Sequence, residues 1–120
     1  MFEGLFISKE ERNQKYNDYS KRIFPYGDKQ KDKVSSILSE LFPHENLQYL
    51  LMHYILLKER VIEEGTLDYE SAFKKVSKKK IIKISPDLQN KMIELLKADL
   101  SIDESLEYPS AEEVKNVFHR

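Results

Sequence analysis

The chain has 120 residues, of which 20 are basic, 21 are acidic and none is cysteine. This length predicts a single domain over residues 1–120, and the lack of cysteine excludes disulfides, thiolate metal sites and a cysteine nucleophile. The net charge of −1 indicates no particular class of partner. Because the N-terminal segment lacks a basic start and a long apolar core, we expect no signal peptide and a cytoplasmic protein without a membrane partner.

The first two predicted helices are separated by the segment 24–27, which contains a proline and a glycine. The first helix begins at Ser8, where a capping-box pattern starts, and it ends near Ile23 because residues before proline avoid the helical region. Asp28 is the predicted N-cap of the second helix. The apolar residues of the second helix recur at helical spacing on a single side, namely Val34, Ile37, Leu38, Leu41 and Phe42.

The third predicted helix, about residues 46–64, is apolar on two sides. Asn46 is its predicted N-cap, and Gly65 is its predicted C-terminal stop. A surface helix needs only one apolar face, so two faces predict either enclosure by other helices or contact with another molecule. Enclosure within a bundle is the simpler explanation. At about 100° per residue, the broad face contains Leu47, Leu50, Leu51, Tyr54, Ile55, Leu57, Val61 and Ile62, and the opposite stripe contains Tyr49, Met52 and Leu56.

The C-terminal half of the chain predicts three more helices. Thr66 or Asp68 begins the first of them, and Ser85 with Pro86 at the first helical position begins the second. Ser110 opens a capping box that begins the third. In the same order, their apolar residues are Tyr69, Ala72, Phe73 and Val76; Leu88, Met92, Leu95 and Leu96; and Val114, Val117 and Phe118.

The segment 80–85 is rich in isoleucine and precedes a proline. It predicts either an extension of the preceding helix or a short extended stretch. No partner strand is evident elsewhere in the sequence. The chain therefore predicts an all-α fold, a compact single-domain bundle of five or six helices with the helix at about 46–64 central.

The most concentrated charge lies in residues 74–83, where six lysines occur without an acid. Such a segment is typical of phosphate contacts with nucleic acid. However, residues 99–113 carry six acids without a base, so the two segments can neutralise each other or remain solvated. The lysines are Lys74, Lys75, Lys78, Lys79, Lys80 and Lys83, and the acids are Asp99, Asp103, Glu104, Glu107, Glu112 and Glu113.

The sequence predicts no catalytic, cofactor-binding or metal-ligating residue. His44, His53 and His119 lack the one-turn spacing of a histidine metal site. We expect His53 to lie at the edge of the third helix with a local hydrogen bond. Glycine-rich phosphate loops and nucleophile elbows are also missing from the sequence. We therefore expect a protein that is not an enzyme and needs no cofactor.

Aromatic residues are concentrated in the first 26 positions, where they predict either a lid over the core or a protein interface. These residues are Phe2, Phe6, Tyr16, Tyr19, Phe24 and Tyr26. The leading hypothesis is a protein–protein interaction or self-association module, with a homodimer as one form, and its alternative is nucleic-acid binding through the six lysines. The predicted interface contains Tyr16, Tyr19, Phe24, Tyr26, Tyr49, Met52 and Leu56.

Overall fold

The computed structural model describes residues 21–65 and 68–116, which form helices joined by short loops and contain no strand. Residues 21–23 are helical and end the first predicted helix, most of which lies outside the described residues. These helices confirm the predicted all-α bundle. The other helices are α1 (Asp28–Leu41), α2 (Leu47–Glu64), α3 (Tyr69–Ser77), α4 (Pro86–Leu100) and α5 (Ala111–Asn116).

Both ends of α2 have the predicted caps. The Asn46 side chain accepts hydrogen bonds from the backbone N–H groups of Gln48 and Tyr49, at 2.9 and 3.3 Å. These bonds satisfy two of the donors that a helix N-terminus leaves unpaired. At the other end, Gly65 has a φ of 58° and donates its N–H to the Val61 carbonyl, a conformation that glycine adopts without a steric penalty.

The starts of the later helices follow the same local chemistry. The Asp68 carboxylate accepts the N–H of Ser71 at 3.0 Å, so α3 begins with Asp68 as its N-cap. The hydroxyl of Ser85 accepts a backbone N–H at 3.1 Å, and proline follows at the first position of α4. Ser110 caps α5 through the N–H of Glu113. Short-range patterns therefore predict these boundaries correctly.

One local prediction is wrong, and one of the two alternatives for residues 80–85 is excluded. The N-cap of α1 is Gly27, whose φ of 83° suits glycine, and Asp28 is instead the first helical residue. There its carboxylate complements the positive end of the helix dipole. In addition, α3 ends at Ser77 and Lys80 has a φ of 54°, so the segment 80–85 does not extend this helix. Ser85 itself has extended backbone, as expected before proline.

The core lies where α2 and α4 meet the other helices. Helix α4 packs against all four of the other helices named above, and α2 packs against α1, α3 and α4. This arrangement buries one side of α2 and leaves the opposite side facing away from the core. Within the described residues, no helix combines the length and apolar character that crossing a bilayer requires. The side chains that are completely buried at the centre include Leu38, Leu50, Leu57, Leu95 and Leu96.

Candidate functional site

A group of polar side chains, here named the Asp99 cluster, lies inside the bundle. The buried carboxylate of Asp99 accepts hydrogen bonds at Oδ1 from Gln30 Nε2 at 2.9 Å and from the Tyr108 hydroxyl at 2.5 Å. At Oδ2 it accepts from the Tyr54 hydroxyl at 2.5 Å and from Lys58 Nζ at 2.6 Å. The cluster thus joins α1, α2, α4 and the loop before α5.

The electrostatics of the Asp99 cluster depend on burial. Burial lowers the pKa of Lys58, and the adjacent negative charge of Asp99 opposes this shift. The Lys58 ammonium also lies 4.9 Å from the centroid of the Phe24 ring, within range of a cation–π interaction. Burial and the charge of Asp99 raise the pKa of Tyr54 well above its ordinary value. The phenol therefore remains a neutral hydrogen-bond donor to the carboxylate.

The Asp99 carboxylate has no free hydrogen-bonding site and no access for a substrate. A carboxylate offers about four lone-pair sites, and four donors already occupy those of Asp99. The side chains of Lys58 and Asp99 have almost no contact with solvent, whereas a general acid or base must reach a substrate. Gln30, in turn, accepts the backbone N–H of Tyr26 at 2.9 Å. We conclude that the cluster fixes the positions of three helices and one loop.

Sequence reasoning missed the Asp99 cluster and placed Asp99 among the acids that face the lysines. That placement is wrong because Asp99 lies on the buried side of α4, seven and three residues after Met92 and Leu96. On α2, Lys58 follows the buried Tyr54 by one helical turn. The available signal was therefore a charged residue at a position of an apolar stripe. It occurred twice, as the cation Lys58 on α2 and as the anion Asp99 on α4.

His53 is the second buried polar residue that the sequence analysis misjudged. Its side chain is fully buried, and neither ring nitrogen has a hydrogen-bond partner. The prediction of a boundary residue with a local hydrogen bond is wrong, because this edge of α2 lies against α3. The ring is 4.9 Å from that of Phe73, measured between centroids. Burial lowers the pKa of His53 to about 4, so the imidazole is neutral at physiological pH.

The described residues contain no group of three or more histidine, aspartate, glutamate or cysteine side chains that could hold a metal ion. His53 has no such neighbours to complete a coordination sphere, since metal sites in proteins need several converging ligands. Its unpaired nitrogens therefore represent a cost to stability of the folded protein rather than a ligand set.

The second apolar stripe of α2 is the largest departure from an ordinary surface helix. Tyr49 and Met52 are 52% and 48% exposed, and the half-buried Leu56 lies on the same side of the helix. The explanation that the bundle encloses this side is wrong for Tyr49 and Met52. We name these three residues the α2 stripe.

Of the remaining predicted interface residues, Phe24 and Tyr26 lie within the described part of the chain. Phe24 is buried in the core beneath the Lys58 ammonium and cannot contact a partner, so its assignment to an interface is wrong. Tyr26 is 41% exposed in the turn that precedes α1. Tyr16 and Tyr19 lie outside the described residues.

A groove between α2 and α3 adjoins the α2 stripe. Its volume is about 150 Å³, and we name it the α2–α3 groove. Leu56 and Val76 supply its apolar lining, so the groove continues the stripe toward α3. Its charged lining consists of Glu59, Arg60 and Glu63 from α2 and of Lys75 and Lys79 from α3 and the turn that follows it.

Ion pairs connect most of the charged groups around the α2–α3 groove. Glu64 lies 2.8 Å from the Arg60 Nε and 3.1 Å from the Lys75 ammonium. A guanidinium nitrogen of Arg22 lies 3.5 Å from a carboxylate oxygen of Glu59 and 3.6 Å from one of Glu63. The acids of α2 are therefore engaged by cations of the same chain.

The lysine segment is solvated rather than neutralised by the acidic segment. Among residues 21–65 and 68–116, Lys75 pairs with Glu64, and none of the six lysines pairs with an acid of residues 99–113. In addition, α3 and α5 make no contact, and Asp99 is buried in the core. All six lysines are exposed, namely Lys74, Lys75, Lys78, Lys79, Lys80 and Lys83.

A larger cavity, of about 530 Å³, lies between α4 and α5. It is lined by Ala98, Val114 and Asn116 among others, and Asn116 is the last described residue. Val117 and Phe118, which we expect on the same side of the terminal helix as Val114, lie outside the described residues. This cavity therefore gives no argument for a ligand.

No family model matches this chain, and no curated protein or solved structure matches it significantly. The functional proposal below accordingly follows from the surface of the protein itself.

Proposed function

We propose that this chain is a protein–protein interaction module without catalytic activity, and that its docking surface is the α2 stripe. The observation that carries this proposal is the exposure of Tyr49 and Met52, one turn apart, on a helix whose other side lies in the core. Aromatic residues and methionine are enriched in protein interfaces, and methionine adapts to different partner surfaces.

The position of the α2 stripe supports the proposal in a second way. Binding energy at an interface is concentrated in a few well-packed side chains that fill pockets. Leu56 links the exposed Tyr49 and Met52 to the α2–α3 groove, which offers such a pocket beside the stripe. The surface thus combines exposed apolar anchors with a concave site for an anchor of the partner.

The test compares two double variants of similar apolar exposure. Tyr49→Ser with Met52→Ser alters the α2 stripe, and Leu47→Ser with Leu100→Ser removes two residues of 39% and 37% exposure outside it. Sedimentation velocity over a range of concentrations measures self-association. A protein captured from native lysate is identified, purified and titrated against both variants.

We expect an interaction, with a second copy or with another protein, that weakens at least about tenfold in the stripe variant and persists in the control. A stable monomer whose interactions are equal in the two variants would contradict the proposal. Circular dichroism confirms that both variants retain their helices.

Nucleic-acid binding is a second candidate, and the exposure of all six lysines favours it. Against it, the segment has no arginine, which is the better fork for phosphate and bases, and no interleaved aromatic residue for base stacking. Affinity for mixed-sequence RNA and DNA should fall steeply with salt if phosphate contacts are made. Replacement of Lys78, Lys79 and Lys80 by glutamate should abolish it, and no measurable binding at low salt would reject this candidate.

A further inference from the structure

The α2–α3 groove has an asymmetric rim. Its apolar lining, Leu56 and Val76, lies beside two lysines, Lys75 and Lys79, that are four residues apart at the end of α3. The apolar floor therefore has cations on its α3 side, while Glu59 and Glu63 on its α2 side are paired with Arg22. The groove suits a ligand whose apolar and anionic groups are spaced like the apolar lining and the two lysines.

Of the two lysines on this rim, Lys75 is paired with Glu64, whereas Lys79 has no ion pair within the described residues. Glu64 is shared by Arg60 and Lys75, while Arg22 engages Glu59 and Glu63. Within the part of the chain that the structure describes, five lysines of the segment 74–83 have no ion pair. They are Lys74, Lys78, Lys79, Lys80 and Lys83.

The α2 stripe gives the length and shape of the matching ligand. Leu56 follows Tyr49 by seven positions, so the stripe extends about 10 Å along the helix axis at 1.5 Å per residue. An amphipathic helix laid on this surface places its apolar residues one turn apart, in register with the stripe. Acidic residues of the same partner helix, three or four positions from its apolar residues, then face Lys75 and Lys79.

We propose that the α2 stripe and the α2–α3 groove receive an acidic amphipathic helix of a partner protein. One apolar side chain of that helix enters the groove between Leu56 and Val76, and its carboxylates pair with Lys75 and Lys79. This inference rests on the proposed function, because it requires the stripe to be a docking surface. Charge complementarity is the argument for this occupant, since a nucleic acid would use the lysines but leave the adjoining stripe uncovered.

The experiment uses two synthetic amphipathic peptides and the full chain. Both peptides carry the same leucine face, and one has glutamates where the other has lysines. Fluorescence anisotropy at low and moderate salt measures binding of each labelled peptide. An unlabelled uridine RNA of equal charge serves as a competitor.

Three double variants separate the contributions. Lys75→Gln with Lys79→Gln alters the rim, and Tyr49→Ser with Met52→Ser alters the stripe. The matched control is Lys29→Gln with Lys33→Gln, because these lysines are also exposed and four residues apart, but on α1. Thermal unfolding establishes that each variant is folded.

We expect the acidic peptide to bind and the basic peptide to bind at least about tenfold more weakly. The rim variant and the stripe variant should each weaken the acidic peptide about tenfold or more, whereas the control should not. The RNA should compete poorly.

Other outcomes overturn the inference and can be told apart. If both peptides bind equally and only the stripe variant weakens them, the proposal of an acidic partner is rejected. The proposal that the stripe is a docking surface is retained. Neither peptide binding, while a purified natural partner or a second copy binds and requires the stripe, would also reject the acidic partner. The docking surface would again be retained. Binding that depends on the lysines alone and yields to RNA would indicate a polyanion site. No dependence on either surface in any assay would reject the proposed function as well.

Discussion

Each side of α2 departs from the usual distribution of polar and apolar residues. The inner side buries Tyr54 and Lys58 within the Asp99 cluster, while the outer side exposes Tyr49 and Met52. A typical surface helix buries apolar residues and exposes polar ones, so the buried Lys58 and the two exposed apolar side chains are exceptions on a helix that also buries Leu50 and Leu57. The buried polar groups fix one arrangement of the helices, whereas the half-exposed side chains of Tyr49 and Met52 contribute little to that arrangement.

The largest expected effect comes from removing the negative charge inside the cluster. Asp99→Asn keeps the shape of the side chain but leaves the Lys58 ammonium buried without its counter-charge, which costs about 3–5 kcal/mol of unfolding free energy. Urea denaturation measures this loss. The exposed Asp32 provides the control, because Asp32→Asn should change stability by less than about 0.5 kcal/mol.

A second substitution sharpens this result. Adding Lys58→Met to Asp99→Asn removes the unpaired cation, so the double variant should be more stable than Asp99→Asn alone. If Asp99→Asn and the double variant both unfold at the same urea concentration as the Asp32→Asn control, the ion pair does not hold the inner side of α2 in place.

The next effect is the acid sensitivity of His53. Its pKa is lowered by burial from 6.5 to about 4, so the unfolded chain takes up a proton before the folded protein does. The stability that this group contributes is complete above pH 6.5 and is lost as the pH falls toward 4. The loss approaches about 3 kcal/mol, at 1.36 kcal/mol for each pH unit.

The measurement is chemical denaturation at pH 7, 6, 5 and 4. The free-energy difference between the wild-type protein and His53→Leu should change by about 3 kcal/mol over this range, in favour of the variant at low pH. His44→Leu removes an exposed histidine and is the matched control. Parallel pH profiles for the wild-type protein and His53→Leu would show that His53 is accessible to protons in the folded state.

A smaller effect distinguishes the two phenols of the Asp99 cluster. Tyr54→Phe removes a hydrogen bond to a buried charged group and should cost about 2 kcal/mol. Tyr108 is only half-buried, so water can replace its hydroxyl and Tyr108→Phe should cost about 1 kcal/mol. Urea denaturation at pH 7 gives both values, and the reverse order would place the tighter contact in the loop before α5.

The smallest expected effect on stability belongs to the α2 stripe. Tyr49→Ser with Met52→Ser should change the free energy of unfolding by no more than about 0.5 kcal/mol per site, because both side chains are already half exposed. Differential scanning calorimetry checks this. A loss as large as that of Asp99→Asn would mean that the stripe packs within the protein and is not a free docking surface.

The fold was largely predictable because its signals are local. Asn46, Gly65 and Ser85 each act on backbone groups within four residues, so the ends of their helices follow from nearby sequence. Gly27 was misjudged because Asp28 is the better N-cap by residue type. The observed boundary depends instead on a positive φ, which the sequence does not specify.

The Asp99 cluster was not predictable in the same way. Its donors on α1 and α2 are 41 to 69 residues from Asp99 in sequence, so their meeting depends on how the helices pack. Lys58 and Asp99 each occupy a position of an apolar stripe, which marks them as unusual but does not pair them. In contrast, the stripe of Tyr49 and Met52 was visible from periodicity alone. Only the structure distinguishes exposure from enclosure.

The sequence separation within the Asp99 cluster also bears on the order of events during synthesis. Lys58 is added 41 residues before Asp99. At roughly 5–20 residues per second, the ribosome needs about 2–8 s to supply this counter-charge. During that interval the nascent helices α1 and α2 cannot bury Lys58 in their final arrangement. We therefore expect the bundle to close only after Asp99 has been synthesised, and so after Tyr49 and Met52 have already been added to the chain.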